Sequence, residues 1–287
     1  MATFTRELGQ SVIDRLKESD LWKKHLKNDC KKKCKESVFL AIRNDNVGFY
    51  HNGGRLFSFD KNGFKTNIKF AAVIDSKNTG DLTESELKNT GLISNFSENY
   101  EQIKKNCSLY SGDEDKGISK IYHKHSYLSG KDIVVLDIEV SFASSENAQD
   151  RIDILLYDTK SKTKTLKFVE AKHFSNSEIW STSEPEVIEQ IKRYKTQIAS
   201  RREEIIEAYG NYITKINEIF GLKLPLPDKI EDEVTLLIFG FDQNQKDGRL
   251  TNLVFENEAY KGYKVYGKGG IDQIDLATLW KKNDIKK

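Results

Sequence analysis

The segment RIDILLYDTKSKTKTLKFVEAKHF, residues 151–174, constrains the fold more tightly than any other stretch. In its first run Ile152, Ile154 and Leu156 alternate with Asp153, the period-2 signature of a half-buried strand. A short polar connection leads into a second run, TLKFVEAKHF, so the two strands form an antiparallel hairpin. If the loop is centred near residues 161 and 162, Asp153 falls opposite Glu170, with same-face neighbours about 5 Å apart. Lys172 and Phe168 lie two residues to either side of Glu170 and share its face, while Val169 and Ala171 turn away. Glutamate and lysine seldom end up fully buried unless paired or employed, so a strand closing on Glu-Ala-Lys demands an explanation.

The surrounding patterns extend this hairpin into a layered fold. DIVVLDIEVSF places Val134, Leu136, Ile138, Val140 and Phe142 on one face and Asp137, Glu139 and Ser141 on the other. After the hairpin, STSEPEVIEQIKRY opens as a helix with a Ser183–Glu186 capping box and Pro185 in the first turn. Its inward stripe is Val187, Ile191, Tyr194 and Ile198. A further helix precedes LPLP near residue 225. VTLLIFGF is then an all-apolar strand suited to a sheet centre, and IDLATLWKK a closing helix. Strands interleaved with helices make residues 116–287 an α/β (α+β) domain, a mixed central sheet flanked by helices.

The first part of the chain reads differently. Leu8, Val12, Ile13, Leu16, Leu21 and Trp22 mark a helix over residues 5–27, followed by a lysine-rich segment. Short runs VFLAI, VGFYH, RLFSF and KFAAVI, separated by NDN, NGG and DKNG, make residues 37–74 an antiparallel meander. Residues 83–107 are helix-like, and loop composition at 108–118 puts a boundary near 115. Residues 1–115 are therefore a smaller accessory region of helix plus β-meander.

With 287 residues, 37% of them apolar, the chain can bury a substantial core. Its 46 basic and 44 acidic residues leave a net charge of only +2, so nucleic-acid binding would rest on local patches and not on a global field. Three cysteines are no disulfide framework, and the opening residues carry neither a signal peptide nor a membrane span. A soluble, cytoplasmic setting is the expectation.

Asp153, Glu170 and Lys172, with Glu139 from the preceding strand, converge on one face in this reading. Close carboxylates repel unless a cation sits among them, and hard oxygen donors suit Mg²⁺ or Mn²⁺. The order of Asp153, hairpin and Glu170-Ala171-Lys172 resembles the PD-(D/E)XK nuclease superfamily, although Ile152 stands where that motif has proline. Gln190 and Tyr194 form a downstream Q-x-x-x-Y that resembles the branch of helicase–nucleases and phage-type exonucleases. The resemblance covers about residues 130–200 and implies a restriction-endonuclease-like core acting as a Mg²⁺-dependent nuclease, on DNA in preference to RNA, in bacterial or phage defence. It implies metal binding by Asp153, Glu170, the Ala171 carbonyl and Glu139, water positioning by Lys172, and support from Gln190 and Tyr194. A homodimer or an accessory protein is the expected partner besides nucleic acid.

Blander readings stand beside these. Glu170 and Lys172 would otherwise be a surface pair worth little, Asp137 and Glu139 a solvated strand face, and Tyr194 plain core. His173 reads as structural. Lys192, Arg193 and Lys195 line the helix after the site and could follow a nucleic-acid backbone, but glutamates alternate with them. Cys30, Cys34 and Cys107 with His123 and His125 have no zinc-finger spacing and read as ordinary thiols. The alternative function is a catalytically inactive nucleic-acid-binding or assembly protein on the same fold. A small-ligand enzyme or sensor has no glycine-rich phosphate loop or nucleophile elbow to support it.

Overall fold

Two-residue turns fold the early strands of the chain into a meander. The computed structural model describes residues 4–72, 80–89, 95–142 and 151–285. Its residues group into two compact units, one of Thr5–Lys124 with Asn211–Leu224, the other of Phe4, His125–Gly210 and residues 225–285.

In the first unit β1 (Phe39–Arg43), β2 (Asn46–His51), β3 (Gly54–Asp60), β4 (Gly63–Asn67) and β5 (Asp81–Thr83) pair in sequential antiparallel order. Asn52 and Gly53 both have positive φ, +46° and +85°, between His51 and its partner Gly54, the twist that a type I′ hairpin turn needs. The helices are α1 (Gln10–Glu18), a π-helical Trp22–Leu26 continued by α2 (Lys27–Lys31), α3 (Glu84–Asn89), α4 (Tyr100–Leu109) and α5 (Asp113–His125).

Three expectations change here. The helix expected over 5–27 breaks at Ser19, whose hydroxyl donates to the Leu16 carbonyl and accepts the Trp22 N–H, ending one helix and starting the next. The fourth strand is GFKTN and not KFAAVI, because the Lys61–Asn62 turn pairs Asp60 with Gly63 at once. The chain then turns, Phe70 N–H bonding the Asn67 carbonyl, and residues 73–74 of that run lie outside the described residues. Residues 90–94 of the helix-like stretch lie outside them too. Residue 115 falls inside α5, one turn into the helix, and the first unit runs on to Lys124.

The second unit is a mixed sheet. Its strands are β6 (Ile133–Ser141), β7 (Arg151–Asp158), β8 (Thr165–His173), β9 (Lys229–Ile230), β10 (Thr235–Phe239) and β11 (Lys264–Lys268). They lie in the order β11-β10-β8-β7-β6, with β9 added on β8; β6, β7 and β8 are antiparallel, and β8, β10 and β11 parallel. β10 is buried throughout, as its apolar run requires between two parallel neighbours. The helices are α6 (Glu186–Ser200), α7 (Arg202–Phe220), the single turn α8 (Gln243–Gln245) and α9 (Leu276–Lys281). Residues 211–220 of α7 group with the first unit. α6 and α7 send tyrosine hydroxyls to β7 and β6, while the Trp280 carbonyl of α9 accepts Lys167 and Lys264 from strands β8 and β11. No helix among the described residues is long and apolar enough to cross a membrane.

A buried polar network ties the first unit together through Asn52. The Ser37 carbonyl can only accept, so His51 Nδ1, 2.9 Å away, carries its hydrogen and Nε2 accepts from the Asn52 amide at 3.1 Å. The Asn52 carbonyl accepts His123 Nε2–H at 3.0 Å, which leaves His123 Nδ1 to accept the Ser37 hydroxyl. The same amide also donates to Ser108 Oγ at 2.9 Å. Both histidines are thus held neutral: burial, aided by the Lys104 ammonium, lowers His51 to about 4 and His123 to about 3. Their unfolded counterparts titrate near 6.5, so the folded state binds fewer protons below that pH. This contribution is complete above pH 6.5 and is lost as pH falls towards the folded values. Thermal unfolding followed by circular dichroism is expected to show on the order of 1–2 kcal/mol lost per histidine between pH 7.5 and 5. Asn52→Gly, which keeps the turn but removes the shared amide, is expected to cost about 1–3 kcal/mol at pH 7.5. A flat pH profile would rule the network out as the unit's acid-sensitive element.

Candidate active site

The hairpin register delivers the charged residues to one face. Leu155 pairs with Phe168 and Ile154 with Val169, and one further step of that register sets Asp153 across from Glu170, centred between residues 161 and 162 as the sequence implies. On the other side, β6 carries a bulge at Leu136, after which Asp137 faces Leu155 and Val140 faces Ile152. Cross-strand partners share a face, so Asp137, Glu139, Asp153, Phe168, Glu170 and Lys172 line one side of the sheet, continued by Leu236 and Ile238 of β10. Phe168 is the apolar floor, its ring edge-on to Phe142 at 5.4 Å.

Lys172 is buried between two carboxylates. Its Nζ lies 3.1 Å from Glu170 Oε1 and 2.6 Å from Glu178 Oε2, with Lys172 6% and Glu170 2% exposed. The Glu178 contact is an ion pair whose angles are not those of a hydrogen bond. Asp153 Oδ2 accepts the Ala171 N–H at 2.7 Å, which links the two strands at the acidic end. Ala171 therefore serves Asp153 through its amide hydrogen, whatever its carbonyl does. Glu178 was not among the residues expected from sequence. It sits in a 3-10 turn, Ser177–Ile179, which Asn176 opens by accepting the Glu178 N–H at 3.0 Å. An Asn two residues before an acid, straight after a charged strand end, is the only signal the sequence offers for it.

The remaining expected residues are placed as follows. Glu139 has a left-handed φ of +49° in mid-strand and its carboxylate lies 3.3 Å from the Arg151 guanidinium. Asp137, read as a possible solvated position, is 0% exposed and accepts the Tyr209 hydroxyl at 2.9 Å and the Ile138 N–H at 2.8 Å. The Tyr194 hydroxyl donates to the Arg151 carbonyl at 3.0 Å, two residues before Asp153, so Tyr194 holds the backbone that carries the acid. Gln190, one turn earlier on α6, has a buried Oε1 with no hydrogen-bond donor among the described residues. The Ser183–Glu186 capping box does not form: α6 begins at Glu186 with extended Pro185 as its N-cap, and Ser181 Oγ accepts the Glu184 N–H instead. Lys192 pairs with Glu189 at 2.6 Å and Lys195 lies 5.8 Å over the Tyr263 ring, while Arg193 is half-buried on the same helix. His173 hydrogen-bonds Ser175 at 2.8 Å and packs against Phe239. Cys30 and Cys107 are buried thiols, the first pushed well above its ordinary range and the second up to about 12, both chiefly by burial.

Glu170 and Glu178 meet the Lys172 ammonium, and Asp153 stands across the hairpin from Glu170. Among the described residues no three His, Cys, Asp or Glu side chains form a ready-made metal cage. Two facing carboxylates completed by water and substrate oxygens are the way Mg²⁺ is commonly held, and the buried Gln190 oxygen, one turn before Tyr194 on α6, is a further hard donor. The donor set therefore fits Mg²⁺ or Mn²⁺. A cleft of about 570 Å³ lies at the opposite end of β7, lined by Asp158, His125, Lys131 and Trp280 among others, and includes none of these residues. Comparison of the chain with protein-family models, with curated proteins and with solved structures found no match.

The closeness of these acids makes a prediction independent of activity. With EDTA present, Asp153→Asn, which keeps an acceptor for Ala171, is expected to stabilise the fold by about 1 kcal/mol of relieved repulsion and so to raise its melting temperature. Millimolar Mg²⁺ is expected to raise the wild-type melting temperature and leave that of the variant unmoved. A variant less stable than wild type in EDTA would show that Asp153 is not strained by its neighbours.

Proposed function

We propose that the chain is a metal-dependent nuclease that hydrolyses phosphodiester bonds, with DNA preferred to RNA. The observation that carries this reading is Asp153 facing Glu170 across the hairpin, with Lys172 buried beside Glu170 on the same sheet face. Stability does not account for the group, because apolar residues of similar volume would serve a sheet face at least as well as a buried ion pair. The order of acid, hairpin and Glu-Ala-Lys, followed by Gln190 and Tyr194, supports the likeness to the PD-(D/E)XK superfamily.

Asp153 and Glu170 would hold the cation, which when bound supplies Lewis-acid stabilisation of a phosphoryl oxygen and lowers the pKa of a coordinated water. Lys172, its ammonium oriented by Glu170 and Glu178, offsets negative charge that develops on the phosphate and positions the attacking water at Nζ. Tyr194 positions Asp153 through the Arg151 carbonyl. Phe168 and its aromatic neighbours keep bulk water from the floor of the site, which strengthens each electrostatic contact. A cytoplasmic defence role, with a homodimer or an accessory protein assembling through residues 1–115, belongs to the same reading.

Supercoiled plasmid, linear duplex, single-stranded DNA and RNA, each with Mg²⁺, Mn²⁺ or EDTA, test it. Cleavage is expected with metal only, and Asp153→Ala and Lys172→Ala are each expected to reduce it by at least about 10²-fold. Tyr194→Phe is expected to lower the rate by about tenfold or less, since it acts through the backbone. Cleavage that persists in EDTA or in both alanine variants would sink the assignment. Failure to cleave any substrate would favour the inactive binding protein.

A further inference from the structure

The 3-10 turn that brings Glu178 to Lys172 continues directly into Trp180, two residues and at most about 7 Å of backbone from Glu178. Its ring is locked in place. Nε1–H donates to the Phe174 carbonyl at 3.0 Å, and the Phe174 ring meets the indole edge-on at 4.7 Å. The turn itself is pinned by the Tyr260 hydroxyl, which donates to the Ile179 carbonyl at 2.9 Å. Over the Trp180 ring lies the guanidinium of Arg249, 4.0 Å from the centroid.

Arg249 is exposed, and no carboxylate pairs with it among the described residues. It comes from the π-helical stretch Lys246–Phe255, a backbone form concentrated at functional sites. An exposed guanidinium 4.0 Å over an indole centroid can offer its outer face and its edge N–H groups to a ligand. The edge suits a phosphate, and the plane suits a nucleobase. Bases inside a duplex have both faces covered by their neighbours, so only an unstacked base can lie on that plane.

We propose that Trp180 and Arg249 form a stacking and phosphate-binding rung for an unpaired DNA strand at the rim of the Lys172 site. The inference rests on the nuclease reading for its purpose, and its test reads binding without catalysis. Fluorescence anisotropy of the full chain in EDTA, with a labelled single-stranded oligodeoxynucleotide, its RNA counterpart and a blunt duplex, measures the contact directly. Arg249→Ala is expected to weaken single-strand binding about tenfold and duplex binding by about twofold or less. Arg249→Lys, which keeps the charge and loses the plane, is expected to retain the salt dependence of wild type while losing most of the same affinity. Equal binding by wild type and Arg249→Ala, an equal loss on duplex, preference for the RNA strand, or a wild type that binds no single strand would each overturn the proposal. Cleavage with Mg²⁺ is scored separately, so binding without cleavage refutes only the nuclease reading, and cleavage with unaltered Arg249→Ala binding refutes only the rung.

Discussion

The antiparallel register between β7 and β8 is the constraint on which the rest of the site depends. Leu155 opposite Phe168 places both in the core, and the same register sets Asp153 against Glu170 two residues on. A slip of one residue would turn Phe168, Glu170 and Lys172 to the other face together, so the packing of one aromatic ring holds the charged end in position. The polar loop at 159–164 helps, because Asp158 accepts the Lys160 and Ser161 backbone N–H groups at 3.0 Å and fixes where the hairpin turns.

Charge at the open end is then organised from the helix layer. α6 and α7 each contribute a tyrosine hydroxyl, one to the Arg151 carbonyl on β7 and one to the Asp137 carboxylate on β6. These bonds clamp β7, which carries Asp153, and its neighbour β6 without touching the acid itself. The 3-10 turn after β8 adds Glu178, so that the Lys172 ammonium is held between acids on two elements. A buried lysine paired with one glutamate would be neutral overall. Glu178 and, across the hairpin, Asp153 add acids that a structural ion pair has no need of.

Much of this was legible in the sequence because it is local. Period-2 alternation marked β6, β7 and β8, the apolar run marked β10, and the helical stripe Val187, Ile191, Tyr194, Ile198 is buried as its spacing implies. The hairpin centre, and hence the Asp153–Glu170 juxtaposition, followed from counting residues in a short loop. What escaped depends on side-chain hydrogen bonds or on distant partners. Glu178 lies in a single 3-10 turn with no periodicity to announce it. The bulge at Leu136 and the burial of Asp137 require Tyr209, 72 residues away in sequence. Ser19 splits a helix that the apolar spacing alone would continue, and Asn52 looks like an ordinary hairpin residue until His51, His123 and Ser108 are seen to share its amide.

The nuclease proposal needs Asp153 and Glu170 to bind a divalent cation together. Crystals of the full chain soaked in MnCl₂ and measured at the manganese absorption edge test it most directly. An anomalous difference peak is expected between the Asp153 and Glu170 carboxylates, absent from crystals of Asp153→Asn. No peak there at saturating Mn²⁺, or manganese bound only in the cleft beside Asp158, would contradict it.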